Sequence, residues 1–167
     1  MMFSGLNPTT AAAFTIPVST LAVSVTAVVD RSVAVVCDAA AAGVAESRVH
    51  VRGALDDGDR AAVLGGAVAL LAPSELTAFP WRVVEALAVG VPVVAADSGA
   101  HREVVLDGGV LAGSGAGPAG EAMGEGLAEV LGSAAAVERY AVLAADRGRA
   151  FSWQGAAERV WQLHADL

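Results

Sequence analysis

From Asp30 onward the chain alternates short, apolar, β-branched runs with longer stretches of helical period, and few folds accommodate that rhythm. Residues 32–38, 49–52, 67–73 and 92–96 read as strands buried on both faces. Between them, residues 57–64 and 81–89 have helical spacing, and the second stretch closes at Gly90, well placed as a helix C-cap before Pro92. Strands that alternate with helices need crossover connections, which predicts an α/β domain: a parallel sheet flanked by helices.

Beyond a glycine-rich loop over 108–120, which encloses a short strand at 110–112, the spacing predicts helices over 121–131, 134–150 and 152–167. The last has an apolar stripe through Ala156, Val160 and Leu163 with Trp153 and Trp161 nearby, and is expected to pack onto the sheet. At the other end, the first 29 residues contain no charge, and residues 11–29 are long enough to cross a bilayer. That run includes Thr15, Ser19, Thr20, Ser24 and Thr26, breaks at Pro17 and has no basic residue before it. Buried strand and helix is therefore the expectation there, with a membrane anchor over 11–29 as the competing reading. The chain divides into an apolar opening segment, 1–30, and a domain over 31–167.

Composition removes several function classes. With 55% hydrophobic and 17% charged residues the chain must bury a core. A net charge of −8 without a basic cluster argues against nucleic-acid backbone recognition. All ten basic residues are arginine, which excludes Schiff-base lysine chemistry and a P-loop lysine. The single Cys37 lies in an apolar run, can form no internal disulfide and reads as a small core residue, in keeping with a reducing cytoplasm. His50, His101 and His164 have no spacing with carboxylates that suggests a metal site, and no nucleophile, histidine and acid set is evident. Residues 113–117 lack the strand-to-helix context of a dinucleotide fingerprint and read as a flexible loop.

Residues 61–105 carry an ordered set of motifs. These are Ala61-Ala62-Val63-Leu64-Gly65-Gly66-Ala67, a strand ending in Pro73-Ser74, Phe79, Val83-Val84-Glu85-Ala86-Leu87, Gly90-Val91-Pro92-Val93-Val94-Ala95, Gly99, and Glu103-Val104-Val105. In this order they resemble the donor-binding half of GT-B retaining glycosyltransferases of group 1 (family 4). The tail Arg149-Ala150-Phe151-Ser152-Trp153, followed by Ala156-Ala157-Glu158, resembles the closing helices of the same domain. The resemblance runs from about Val49 to the end and implies a Rossmann-like domain equivalent to the C-terminal half of a GT-B fold.

It also implies a site. The loop after the Pro-Ser strand opens a helix whose N–H groups hold the diphosphate of a nucleotide sugar, near Phe79, Trp81 and Arg82. Glu85 matches the glutamate that accepts hydrogen bonds from the two ribose hydroxyls. Thr77 stands where the family has a first glutamate facing the donor sugar, and brings no charge to a developing oxocarbenium ion; Glu75 is the candidate substitute if the strand stays extended past Ser74. Pro80 replaces a loop glycine and removes one N–H, leaving that of Trp81, while Arg82 replaces a proline and offers a cation. The family's arginine and lysine near the first strands have no counterpart, even if Phe3-Ser4-Gly5-Leu6-Asn7-Pro8 is the opening strand and turn. His101, in Gly99-Ala100-His101-Arg102-Glu103, reads as a surface turn residue, with a sugar or acceptor contact as the alternative.

What the resemblance implies for function is retaining glycosyl transfer from a nucleotide-diphosphate sugar, the donor substrate, with no metal or other cofactor. The opposing acceptor-binding half of such enzymes is absent from these 167 residues, so a separate acceptor-domain protein is the expected partner. The alternative is a non-catalytic remnant or pseudoenzyme that binds a nucleotide sugar or a partner protein.

Overall fold

A computed structural model describes residues 2–4, 25–28, 49–52, 55–113 and 119–166. Six strands form one sheet: β1 (Met2–Ser4), β2 (Val25–Val28), β3 (Val49–Arg52), β4 (Leu70–Ala72), β5 (Val93–Ala96) and β6 (Gly109–Ala112). Their order is β3-β2-β1-β4-β5-β6, and every pairing is parallel. The helices are α1 (Asp57–Gly65), α2 (Trp81–Ala88), α3 (Gly99–Val105), α4 (Ala119–Leu131), α5 (Ala134–Gly148) and α6 (Trp153–Ala165). This is a Rossmann-like α/β domain, as expected.

Strands β4 and β5 are short and wholly apolar because both faces are covered, and every residue of the two is buried. Successive side chains point to opposite faces, so Leu70, Ala72, Val93 and Ala95 join a core with Leu64 of α1, Val83, Val84 and Leu87 of α2, and Val104 and Val105 of α3. The alternate residues Ala69, Leu71 and Val94 pack against Met123, Leu127 and Val130 of α4. Gly90 has φ of 73°, the left-handed conformation that ends α2 and that a side chain would resist.

Three expectations are corrected. Residues 99–103 form most of α3 rather than a turn, because the Ser98 hydroxyl accepts the His101 N–H at 3.3 Å and so starts a helix. His101 is consequently buried, at 2% exposure, and not a surface residue. The stripe of α6 does not pack onto the sheet, and no residue of that helix is buried. The remaining helices begin and end within two residues of their expected limits.

The uncharged opening supplies two strands of the sheet, β1 and β2, the latter inside the 11–29 stretch. Among the described residues no helix is long and apolar enough to cross a membrane. The expected strand at 32–38, with Cys37, and residues 114–118 of the glycine-rich loop lie outside the described residues.

Candidate functional site

The order of strands reverses between β1 and β4. In an open parallel sheet the connections leaving two such strands part to opposite faces, which opens a crevice at the carboxyl ends of the strands. The loop from β4 to α2 leaves at that point and contains Glu75, Thr77 and Phe79; Trp81, Arg82 and Glu85 follow on α2.

β4 ends at Ala72, and the Ser74 hydroxyl donates to the Leu76 carbonyl at 3.1 Å. The chain bends at Glu75, so the extended conformation that would put Glu75 and Thr77 on one side does not continue through them. Glu75 is exposed and Thr77 half-buried. Phe79 and Trp81 meet edge to face with ring centroids 4.6 Å apart, and both remain exposed.

The opening of α2 differs from the expectation in one respect. Pro80 occupies the N-cap and makes no side-chain cap, and the Trp81 N–H donates to the Phe79 carbonyl at 3.0 Å. The N–H groups of Val83 and Val84 both donate to the Pro80 carbonyl, at 2.9 and 3.1 Å. The Trp81 N–H is thus engaged by the loop, in an inverse γ-turn centred on Pro80, whose φ of −84° and ψ of 67° bring the Phe79 carbonyl over the helix entrance.

Glu85 lies one turn further along α2, with its side chain 39% exposed. Its Oε2 is 3.9 Å from Nη1 of Arg82 and 3.7 Å from Nε of Arg60. Arg60 was not singled out from the sequence. It lies in the opening turn of α1, where the Asp56 carboxylate caps the helix by accepting the Asp59 N–H at 2.8 Å. A cation this near a helix N-terminus opposes the macrodipole, which is too weak a sequence signal to mark a site by itself. Asp57 Oδ1 holds its Nη2 at 2.8 Å.

The next connection, from β5 to α3, brings His101 and Arg102 to the same edge of the sheet. A carbonyl can only accept, so the 2.8 Å contact between His101 Nδ1 and the Ala96 carbonyl puts the ring proton on Nδ1. Arg102 forks onto Asp97, with Nε 2.5 Å from Oδ1 and Nη2 2.7 Å from Oδ2. That guanidinium holds the Asp97 carboxyl below the usual carboxylate range. Arg102 is therefore committed to its neighbour, while Arg60 and Arg82 face Glu85. Among the described residues no three His, Cys, Asp or Glu side chains cluster as a metal site.

Comparison with known proteins agrees with this fold. The sequence profile of the glycosyl transferases of group 1 matches residues 19–133. A phosphatidyl-myo-inositol mannosyltransferase of Mycobacterium leprae is 34% identical over 122 residues, which cover 69% of this chain and 31% of that enzyme. Among solved structures, the pneumococcal O-GlcNAc transferase GtfA in complex with UDP and GlcNAc has a TM-score of 0.76 at 13% identity, covering 99% of this chain and 35% of that one. Anabaena HepE in complex with UDP-glucose has a TM-score of 0.70 at 18% identity, covering 99% of this chain and 49% of that one. The chain spans about a third of the curated relative and a third to a half of these structures.

Proposed function

Since the chain belongs to the glycosyl transferases of group 1 and has the fold of a GT-B domain, we propose that it is the donor half of a retaining glycosyltransferase. It binds a nucleotide-diphosphate sugar at the β1/β4 crevice, with the ribose on Glu85 and the diphosphate at the start of α2. The observation that carries this is the position of Glu85: half-exposed on α2, beside two guanidinium groups, at the reversal of strand order. A carboxylate is an acceptor-only group with two oxygens, matched to a vicinal diol. Two relatives of the same fold were solved with UDP or UDP-glucose, which supports a nucleotide sugar as the ligand class.

Transfer with retention brings the acceptor hydroxyl to the anomeric carbon on the side from which the diphosphate leaves. The donor half positions the leaving group and the acceptor half holds the hydroxyl and excludes water, so transfer in this proposal needs an acceptor half opposite this domain. The exposed apolar face of α6, with Trp153, Val160, Trp161 and Leu163, is consistent with a partner protein.

Two observations favour the alternative of a binding protein without turnover: Thr77 brings no carboxylate to the sugar, and the Trp81 N–H is engaged by Phe79. Calorimetry on the parent and Glu85→Ala with UDP, GDP and ADP tests the site. Loss of hydrogen bonds to a charged acceptor should weaken the preferred nucleotide by about 1.5–3 kcal/mol. Equal binding by the two proteins rejects the site.

A further inference from the structure

Arginines on two helices approach Oε2 of Glu85 within ion-pair distance. Arg82 reaches Oε2 from the same helix, at 3.9 Å, and Arg60 reaches it from α1, at 3.7 Å. Arg60 is the less exposed of the two arginines, 26% against 40%, and is itself held from behind by Asp57 at 2.8 Å. Ion pairs this long and this accessible contribute little to stability, so stability gives no reason for the arrangement.

We propose that Arg60 is a positioning residue of the donor site: it sets the plane of the Glu85 carboxylate and so determines how sharply the site tells a ribonucleotide from a deoxyribonucleotide. The proposal rests on Glu85 being the ribose acceptor. A vicinal diol gives two hydrogen bonds to one carboxylate only when both oxygens lie in line with both hydroxyls. A glutamate on a half-exposed helix face samples several rotamers, most of which offer the diol one oxygen or none. Anchoring Oε2 from a second helix removes those rotamers before the ligand arrives, and pre-organisation of this kind appears as affinity for the group being recognised. A deoxyribose offers a single hydroxyl and gains much less from it. Arg60 therefore acts on the difference between the two sugars, whereas a cation that bound the phosphates would act on both nucleotides alike.

The test is calorimetry with three pairs of ligands, UDP and 2′-deoxy-UDP, GDP and 2′-deoxy-GDP, ADP and 2′-deoxy-ADP, on the parent, Arg60→Gln, Arg60→Lys and Glu85→Ala, with thermal melting of each protein. The parent should prefer the ribonucleotide of its preferred base, and Glu85→Ala should abolish the preference. Arg60→Gln should reduce that preference about threefold or more through loss of pre-organisation, leave the deoxynucleotide affinity near the parent value and leave the melting temperature unchanged. Arg60→Lys, which keeps a cation, should restore part of the preference; it also serves if the glutamine variant fails to fold. If Arg60→Gln weakens both members of a pair equally, or neither, while Glu85→Ala still abolishes the preference, the positioning role is overturned and the nucleotide site stands. If the parent binds none of the diphosphates, or Glu85→Ala leaves the preference intact, both proposals fall.

Discussion

Helices α5 and α6 start in the same way and end in opposite circumstances. Each opens on a serine whose hydroxyl accepts the N–H three residues on, Ser133 from Ala136 and Ser152 from Gly155, both at 3.0 Å. Each carries an apolar stripe at helical spacing. Yet α5 buries Tyr140, Ala144 and Gly148, and α6 buries nothing. The difference lies in the side chains of the two stripes. The inner face of α5 narrows to Ala144 and Gly148, which lets it lie close against α2, whereas α6 presents Trp153, Val160, Trp161 and Leu163, each more than half exposed. Amphipathic spacing marks the apolar face of a helix but does not say whether the chain itself covers it, and the size of the residues on that face sets how closely a neighbour within the chain can approach.

The comparison breaks first at Gly148. A Cβ there would fall inside contact distance of the Leu87 carbonyl and of the Leu87 and Ala88 backbone, which belongs to the last turn of α2 and has no freedom to yield. Gly148→Ala should therefore destabilise the domain by about 3 kcal/mol or more, at the upper end of overpacking effects, as measured by urea unfolding. A variant as stable as the parent would show that α5 and α2 are not in close backbone contact, and the contrast with α6 would disappear.

A smaller effect comes from Tyr140, midway along α5. Its ring packs beneath α4, and its hydroxyl donates to the Glu129 carboxylate. Burial first, and then the hydrogen bond to Glu129 and the charge of Glu129, raise the phenol above its ordinary value. The sign follows from proton counting. Above a pH of about 10 the unfolded chain loses a phenolic proton that the folded one retains, so the folded state is progressively disfavoured. The contribution is complete below that pH and is lost as pH rises through the folded value. In Tyr140→Phe the alkaline fall in the urea midpoint should be shallower than in the parent; parallel limbs would mean that the phenol ionises freely in the folded state.

What was legible in the sequence follows the same division between local and distant causes. The helix at Trp81, its end at Gly90 and the strands at 67–73 and 92–96 depend on neighbours within a few residues, and the sequence reading located them all. The short helix α3 escaped notice because only Val104 and Val105 mark its apolar side, and its start depends on the Ser98 hydroxyl rather than on a hydrophobic pattern. The end of α3 is held from far along the chain, by Arg147 of α5 donating to the carbonyls of Glu103 and Val104 at 2.8 Å each. In the candidate site, Glu85 was legible because it sits in a motif on one helix. Arg60 is not, because its relation to Glu85 exists only once the fold brings the start of α1 within reach of α2. The engagement of the Trp81 N–H is hidden in the sequence for a related reason: its partner, the Phe79 carbonyl, is only two residues away, but the turn that presents it is a property of the folded loop.

The smallest expected effect is on α6 itself. Trp153 and Trp161 are 86% and 78% exposed, so replacing them removes little packing and leaves no cavity. The start of the helix is held to the body at another residue, the half-buried Phe151, whose ring lies 4.8 Å from the Arg147 guanidinium. The double variant Trp153→Ser, Trp161→Ser should therefore unfold in urea within about 0.5 kcal/mol of the parent, the range of ordinary surface substitutions. It should also reduce the tendency of the pure chain to self-associate, measured by sedimentation, because two large exposed rings on one stripe are a surface that water disfavours. A loss of stability of about 3 kcal/mol, the scale of a buried aromatic, would mean that α6 packs within its own chain after all, and the distinction between the two helices would then be one of residue size alone and not of burial.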